Sequence, residues 1–438
     1  MARPLRRDAP VSSPSAKPER PYHVLRHRDF RLLWGSQLVS LTGSQMQTVA
    51  LNWHVYLLTH SPLALGMVGL SRVVPTIVFS LWGGIVADRR DRRRVMFVAQ
   101  SAMAVLSVAL AVLTLRGRAS LAVIYGLNAA SAAASAFDNP ARQALVPRLV
   151  PPAALSGALS LNLAMFHTAM IGGPGIAGLA LAAGSRGLSS VAAIYAFNAF
   201  SFVVVLIALA LLRTSGRPVA ADVTAERPWE ALKAGLRFVF TTPLMVWTTG
   251  LDFVATFFAG ALSMLPIFAD QILHVGAAGY GWLVAAPALG ALAGSVYAGL
   301  FHLPRRQGRL FLWAVMAYGL FTVVWGLGTR YVFVFLALAA GGLADLVSTV
   351  IRQHLRQVVT PDALRGRMTS VNMVFFMGGP QLGELEAGVV ASLFASAAVG
   401  ARVAVVTGGL ATLLAGALVF ARSRLVRDYQ VSGGSRRK

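Results

Sequence analysis

Gly83-Gly84-Ile85-Val86-Ala87-Asp88-Arg89-Arg90-Asp91-Arg92-Arg93-Arg94 is the stretch whose reading decides the fold. An apolar run enters it from Ala64, and another leaves it from Val95 to Leu115. Each is long enough to cross a hydrocarbon core of about 30 Å as a helix, which takes roughly 20 residues. The stretch is therefore a hairpin turn at a membrane surface, with five arginines and two aspartates. Positive charge gathers on cytoplasmic turns, so this turn is assigned to the cytoplasm. Asp88 stands apart. It sits at the C-terminal end of its own helix, where the dipole disfavours an anion. It is expected to answer a positive group elsewhere, either an arginine or the N-terminal end of another helix near Gly366–Ser370.

The rest of the chain fits a membrane reading. Of its 438 residues, 56% are hydrophobic and 13% charged, and the mean hydropathy is +0.66. A soluble domain carries about a quarter charged residues. The net charge of +23 raises the question of nucleic acid, so its location matters. With twelve helices assigned, 33 of the 39 Lys and Arg fall on one side of the membrane. Arg116, Arg118, Arg186, Arg330 and Arg402 fall on the other, and Arg72 lies within the bilayer. That asymmetry puts both termini in the cytoplasm. The charge reads as topology plus attraction to anionic lipid headgroups, with no nucleic-acid partner. The chain has no cysteine, so disulfides and thiol chemistry are excluded.

In order, residues 1–31 form a basic, Pro-rich tail without an apolar signal segment, expected to be disordered. Residues 32–212 form a first six-helix half and 213–242 a cytoplasmic linker with an interfacial helix at Trp229–Phe240. Residues 243–420 form a second half and 421–438 a basic tail. Helix 4 is expected over Ser120–Ala136, helix 7 over Pro243–Phe268 and helix 10 over Tyr331–Val350. The halves repeat each other. Arg142-Gln143 matches Arg352-Gln353 and Asn162 matches Asn372, both at an offset of 210, and Gly172-Gly173-Pro174 matches Gly378-Gly379-Pro380 at 206. Parallel repeats of this kind put a substrate site between the halves, near the bilayer midplane.

Gly84-x-x-x-Asp88-Arg89-x-x-Arg92-Arg93 resembles the loop 2–3 signature of the major facilitator superfamily, with Asp91 where that signature has its second glycine. Phe30-Arg31-Leu32-Leu33-Trp34 and Leu58-Thr59-x-Ser61-Pro62-Leu63-Ala64-Leu65-Gly66 are similar to one branch of it. So is Thr360-Pro361-Asp362-x-Leu364-Arg365-Gly366-Arg367. That branch holds the enterobactin exporter and macrolide efflux proteins. The resemblance implies an all-α membrane protein of twelve helices in two pseudo-symmetric halves, and a multi-pass place in the inner membrane. It also implies a gating role for Gly84, Asp88, Arg89, Arg92 and Arg93, and export of siderophore-like or drug-like molecules by proton antiport. Gly173, Pro174 and Gly178 match an antiporter glycine–proline segment in part, with Ala177 in place of one glycine. With Gly379 and Pro380 they are read as packing and hinge positions, where small residues let helices approach. Drug–proton antiporters of related branches carry an arginine in helix 4, and Ser120–Ala136 has none.

Uncharged polar groups in a membrane helix face other helices or a wet cavity. Gln37, Gln45 and Asn52 of helix 1, with Arg72 of helix 2, are therefore read as lining a substrate cavity. Burying Arg72 alone costs on the order of 3 kcal/mol or more, so it calls for an acidic partner. Proton coupling needs an acid within the membrane. Asp252, Glu384 and Glu386 are the candidates. Asp345 is read as a structural partner of Arg352, and Asp138 and Asp270 as helix-end residues that cap or meet headgroups. Lys17, Lys233 and Lys438 are the only lysines and none follows a glycine-rich run, so a P-loop is excluded. No enzyme, cofactor or metal site is read. The partners implied are a small molecule, protons and membrane lipid, for a monomer. An importer or lysolipid flippase of the same fold, and a non-transporting sensor or partner subunit, are the competing functions.

Overall fold

The computed structural model describes residues 21–184, 188–217, 228–300, 306–361 and 365–430. Among them, all regular structure is helical. Helix α1 is Arg28–Thr59, α2 Pro62–Arg89, α3 Arg92–Leu115, α4 Leu121–Leu145, α5 Leu155–Ala183 and α6 Leu188–Leu211. A short α7, Pro228–Thr241, leads to α8, Pro243–Phe258, and to the single-turn α9, Leu265–Ile267. Then come α10 (Gly276–Leu300), α11 (Gln307–Leu327), α12 (Tyr331–Val359), α13 (Arg365–Ser392), α14 (Ala397–Arg422) and α15 (Arg424–Arg427). Nine segments among the described residues are long and apolar enough to cross a membrane. The long helices α1, α4 and α13 are not among the nine, and they carry Gln37, Asp138 and Glu384, for which the bundle must supply partners.

The decisive turn forms as its residues dictate. Helix α2 ends at Arg89, and the Asp91 side chain accepts from the backbone N–H of Arg93 (2.9 Å) and of Arg94 (3.4 Å), capping α3. An N-terminal cap is what an aspartate just before a helix supplies. This explains the one departure from the loop signature.

Four expected boundaries are corrected. Residues 21–31, expected in a disordered tail, hold a 3₁₀ turn at Pro21–Arg26 and the start of α1 at Arg28. The helix expected over Tyr331–Val350 runs on to Val359 and so includes Arg352. Helix α4 does not stop at Ala136 but runs through Pro140 to Leu145. Pro140 has no N–H for the Ala136 carbonyl; that carbonyl points at Gly83 of α2, where the missing Cβ leaves room for it. The longer helix includes Arg142, so α4 does carry an arginine. The expected continuous helix Pro243–Phe268 breaks after Phe258, passes through a 3₁₀ turn at Ala261–Met264 and ends in a π-turn at Phe268–Ile272. Gly260 and Pro266 are the cause, since one weakens the helix and the other removes a donor from its ladder.

Helices α1–α6 pack on one another, and so do α8–α14; the two groups meet along α2–α13 and α5–α10. At the Thr59 end of the bundle one apolar core runs through both, joining Leu51, Trp53 and Leu65 to Phe268, Tyr280 and Ala387. At the other end the cores are separate: Phe30, Leu33, Met96 and Leu145 belong to one, and Leu251, Phe311, Ile351 and Leu355 to another. The seams are glycine-lined. A Cβ on Gly178 would lie 2.8 Å from the Gly281 Cα, and one on Gly388 2.9 Å from the Gly66 Cα.

Gly281→Val should therefore wedge α5 from α10 at a cost of about 2 kcal/mol, typical of overpacking. The chain has no native cysteine to remove. Spin labels at L58C and V399C, exposed positions at the Thr59 end of each group, should show a longer separation in G281V than in the parent.

Candidate functional site

Four constellations gather the polar residues. The first is a groove of about 390 Å³ between α1, α4 and α5, lined by Trp34, Gln37, Arg142, Gln143, Asn162 and Phe166 among others. Arg142 donates to Asn139 Oδ1 (2.7 Å) and Gln37 Oε1 (3.5 Å), and its Nε lies 3.9 Å from Asp138. Gln37 Nε2 and Arg142 Nε are buried without a hydrogen-bond partner. Asp138 also accepts from Gln100 of α3 at 2.9 Å. It is thus no helix-end cap, but a buried acid joining α3 and α4.

The second is the counterpart in the other group. Arg352 of α12 pairs with Asp252 of α8, and Asp345 lies 4.0 Å away. Both Asp252 and Arg352 are buried, whereas the Asp345 side chain is 47% exposed. Arg352 also donates to Thr349 Oγ1 at 2.8 Å. Gln37 therefore stands toward Arg142 as Asp252 stands toward Arg352: an acceptor on the first helix of the group meets an arginine on the fourth.

The third lies on the α2–α13 seam. Arg72 is within electrostatic reach of Glu384, which sits where a Cβ on Gly69 would meet its Oε2 at 2.6 Å. Glu386 is two residues on, about 200° round the helix, with Oε2 buried and without a hydrogen-bond partner. Arg72 and Glu384 are coupled by charge across the seam; among the described residues no hydrogen bond or ion pair joins them, and none joins Arg72 to Gln45 or Asn52.

Those two residues face elsewhere. Gln45 Nε2 meets Met170 Sδ of α5 at 2.8 Å, and Asn52 bonds back to Thr48 O at 3.1 Å. The polarity of helix 1 also serves packing. Gln47 Oε1 accepts from Ser107 of α3 (2.9 Å) and Asn198 of α6 (2.8 Å), and His54 meets the Tyr195 hydroxyl at 3.2 Å. Gly173 abuts Gln45 and Thr42, Gly178 abuts α10, and Gly379 abuts Thr256 of α8. Pro174 and Pro380 lie inside α5 and α13.

The fourth constellation closes the Thr59 end. The Tyr56 hydroxyl donates to Asp270 Oδ2 at 2.5 Å and accepts from Gln271 Nε2 at 3.1 Å. Trp53 stacks on Tyr280, ring centroids 5.4 Å apart. Asp270, expected as a cap, is instead a link between the two groups. No local sequence signal marks it.

In the loop, Arg92 donates to the carbonyls of Ala87 and Ala144, and Arg93 to those of Leu212 and Ala210. They cap the ends of α4 and α6, where carbonyls lack partners. Gly84 sits in the last turns of α2, and Asp88 and Arg89 are exposed at its end. The side chains of Gly366–Ser370, the partners expected for Asp88, lie outside those described.

Residues 19–433 match the family described as Transmembrane secretion effector. The chain belongs to this family. It is a major facilitator transporter of the enterobactin-exporter branch, a multi-pass membrane protein and not an enzyme. The enterobactin exporters of Shigella boydii and of Escherichia coli O81 are each 26% identical over 345 residues, 79% of this chain and 81% of theirs. The fold is similar to a bacterial homologue of the human lysosomal transporter Spinster in an inward-facing, unoccupied conformation. The TM-score is 0.73 at 15% identity, covering 95% of this chain and 100% of that one. An inward-facing bacterial homologue of the iron transporter ferroportin gives 0.68 at 18% identity, over 90% and 98%.

Two outcomes are expected. Asp252→Asn leaves the buried Arg352 with only the half-exposed Asp345 at 4.0 Å and should cost about 3 kcal/mol, seen as a lower melting temperature in detergent, while adding Arg352→Met to it should restore most of the loss. Tyr56→Phe removes the donor to Asp270 and should lengthen the distance between labels at L58C and V399C; an unchanged distribution would mean that the hydroxyl does not hold that end shut.

Proposed function

We propose that the chain is a proton-driven exporter of small amphipathic molecules, siderophore-like or drug-like, working by alternating access in the inner membrane. In this reading it is a monomer with twelve crossings, two six-helix halves and both termini in the cytoplasm. The observation that carries it is the distribution of apolar core. One core joins the two groups at the Thr59 end, and at the basic end the cores of the two groups are separate. Such a bundle is closed on one side and divided on the other, as a carrier caught facing the cytoplasm must be. Lysine and arginine enrichment puts the divided side in the cytoplasm.

The groove at Trp34, Gln37, Arg142 and Phe166 opens in the first group near that side. Aromatic walls with an incompletely bonded arginine and glutamine suit a compound that is part ring and part polar. Enterobactin exporters among the relatives support the siderophore class and the outward direction. For coupling, Asp252 is already paired with Arg352, so Glu384 and Glu386 come first among the three. A proton on Glu384 would end its attraction for Arg72, which links proton occupancy to closure of the α2–α13 seam. Asp88, exposed at the end of α2, is assigned the latch on the basic side through the start of α13.

The test is substrate-induced proton movement in proteoliposomes, with E384Q, E386Q and D252N made singly and together. Glu384→Gln should reduce coupled proton flux at least tenfold while the protein still inserts and binds substrate. If the triple variant still couples export to the pH gradient, the proton site is elsewhere. Asp88→Asn should lower transport more than expression.

A further inference from the structure

A second groove, of about 850 Å³, opens beside the decisive turn, between the ends of α2, α3 and α4. Its lining is apolar at Val98, Ala102, Ala134 and Phe137 and basic at Arg89, Arg90, Arg94 and Arg217, with Asp91 among them; the apolar part is called its floor and the basic part its rim. We propose that this groove binds an anionic phospholipid, headgroup phosphate among the arginines and acyl chain along the apolar floor.

The charge balance carries the argument. Six arginines surround this end, and two of them, Arg92 and Arg93, are used up on helix carbonyls. The four on the rim are exposed, and no side-chain hydrogen bond or ion pair is described for any of them. The acid in the lining, Asp91, is engaged by the N–H groups of α3, and Asp88 nearby has an interaction of its own. The rim is thus net cationic, four arginines to one aspartate, beside apolar surface. Val98 is 69% exposed, and Trp82 and Phe97 of the same two helices, α2 and α3, are exposed as well. A ligand for this shape is anionic at one end, apolar at the other and present in the membrane at high concentration. Both terminal tails are net positive, so neither offers this rim a counter-charge. Each basic side chain near an anionic headgroup layer contributes about 1 kcal/mol, roughly fivefold in affinity. The site does not depend on which compound is exported; the orientation proposed above decides only which leaflet supplies the lipid.

The test is native mass spectrometry of the full chain in detergent, titrated with palmitoyl-oleoyl phosphatidylglycerol or with phosphatidylcholine of the same chains. The parent should bind phosphatidylglycerol in preference. R90Q/R94Q/R217Q should lose that preference, by on the order of 100-fold for three arginines. R90K/R94K/R217K should keep most of it, and R116Q/R118Q, on the opposite side, all of it. Ala102→Trp fills the floor and should weaken both lipids with the rim intact. Equal binding of the two lipids by the parent, or a preference that survives R90Q/R94Q/R217Q, would overturn the proposal. So would full displacement by glycerol 1-phosphate, which would make this a plain anion site. A preference that strengthens greatly in D222N/E226Q would mean that the linker acids occupy the rim, and would overturn it as well.

Discussion

The architecture depends on backbone-to-backbone contact between two pairs of helices. In a bilayer the lipid tails are as apolar as leucine, so helices gain little by hiding apolar side chains from them. Association must come from close packing, and the closest packing needs residues without bulk. Gly66 with Gly388, and Gly178 with Gly281, give α2–α13 and α5–α10 that contact. The apolar core that crosses from Trp53 and Leu65 to Phe268 and Tyr280 is built around these seams. Since the seams are narrow and glycine-lined, they are the surfaces over which the proposed alternating-access cycle would rock one group of helices on the other.

Polar residues then divide by the partner that the bundle offers. An arginine in hydrocarbon is costly alone and tolerable beside an acid. Arg352 has Asp252, and Arg142 has Asp138 with Gln37. Arg72 has its acid across a seam, so its attraction for Glu384 depends on how the groups sit. A pair within one group is structural ballast; a pair across a seam is a term in the conformational equilibrium. The same distinction sets Tyr56 and Asp270 apart from Gln47 and Asn198, which bond within one group.

Much of this was legible in the sequence. Apolar run lengths, the arginine-rich turn, the lopsided distribution of Lys and Arg and the repeat at an offset of 210 follow from the chain alone, because each is a one-dimensional consequence of bilayer thickness, surface charge or duplication. The start of α3 was not read: the apolar run suggested Val95, whereas the Asp91 cap starts the helix at Arg92. Only the tertiary structure decided partners. That Asp138 is a buried link between α3 and α4, that Asp270 ties α1 to the second group, that Gln45 meets α5 and that Arg72 lies within electrostatic reach of Glu384 depend on which helix faces which, and a pattern with a 3.6-residue period gives a face but no neighbour. The length of α4 was decided the same way: Pro140 reads as a stop, until Gly83 of a neighbouring helix makes room for the carbonyl that the proline leaves unbonded.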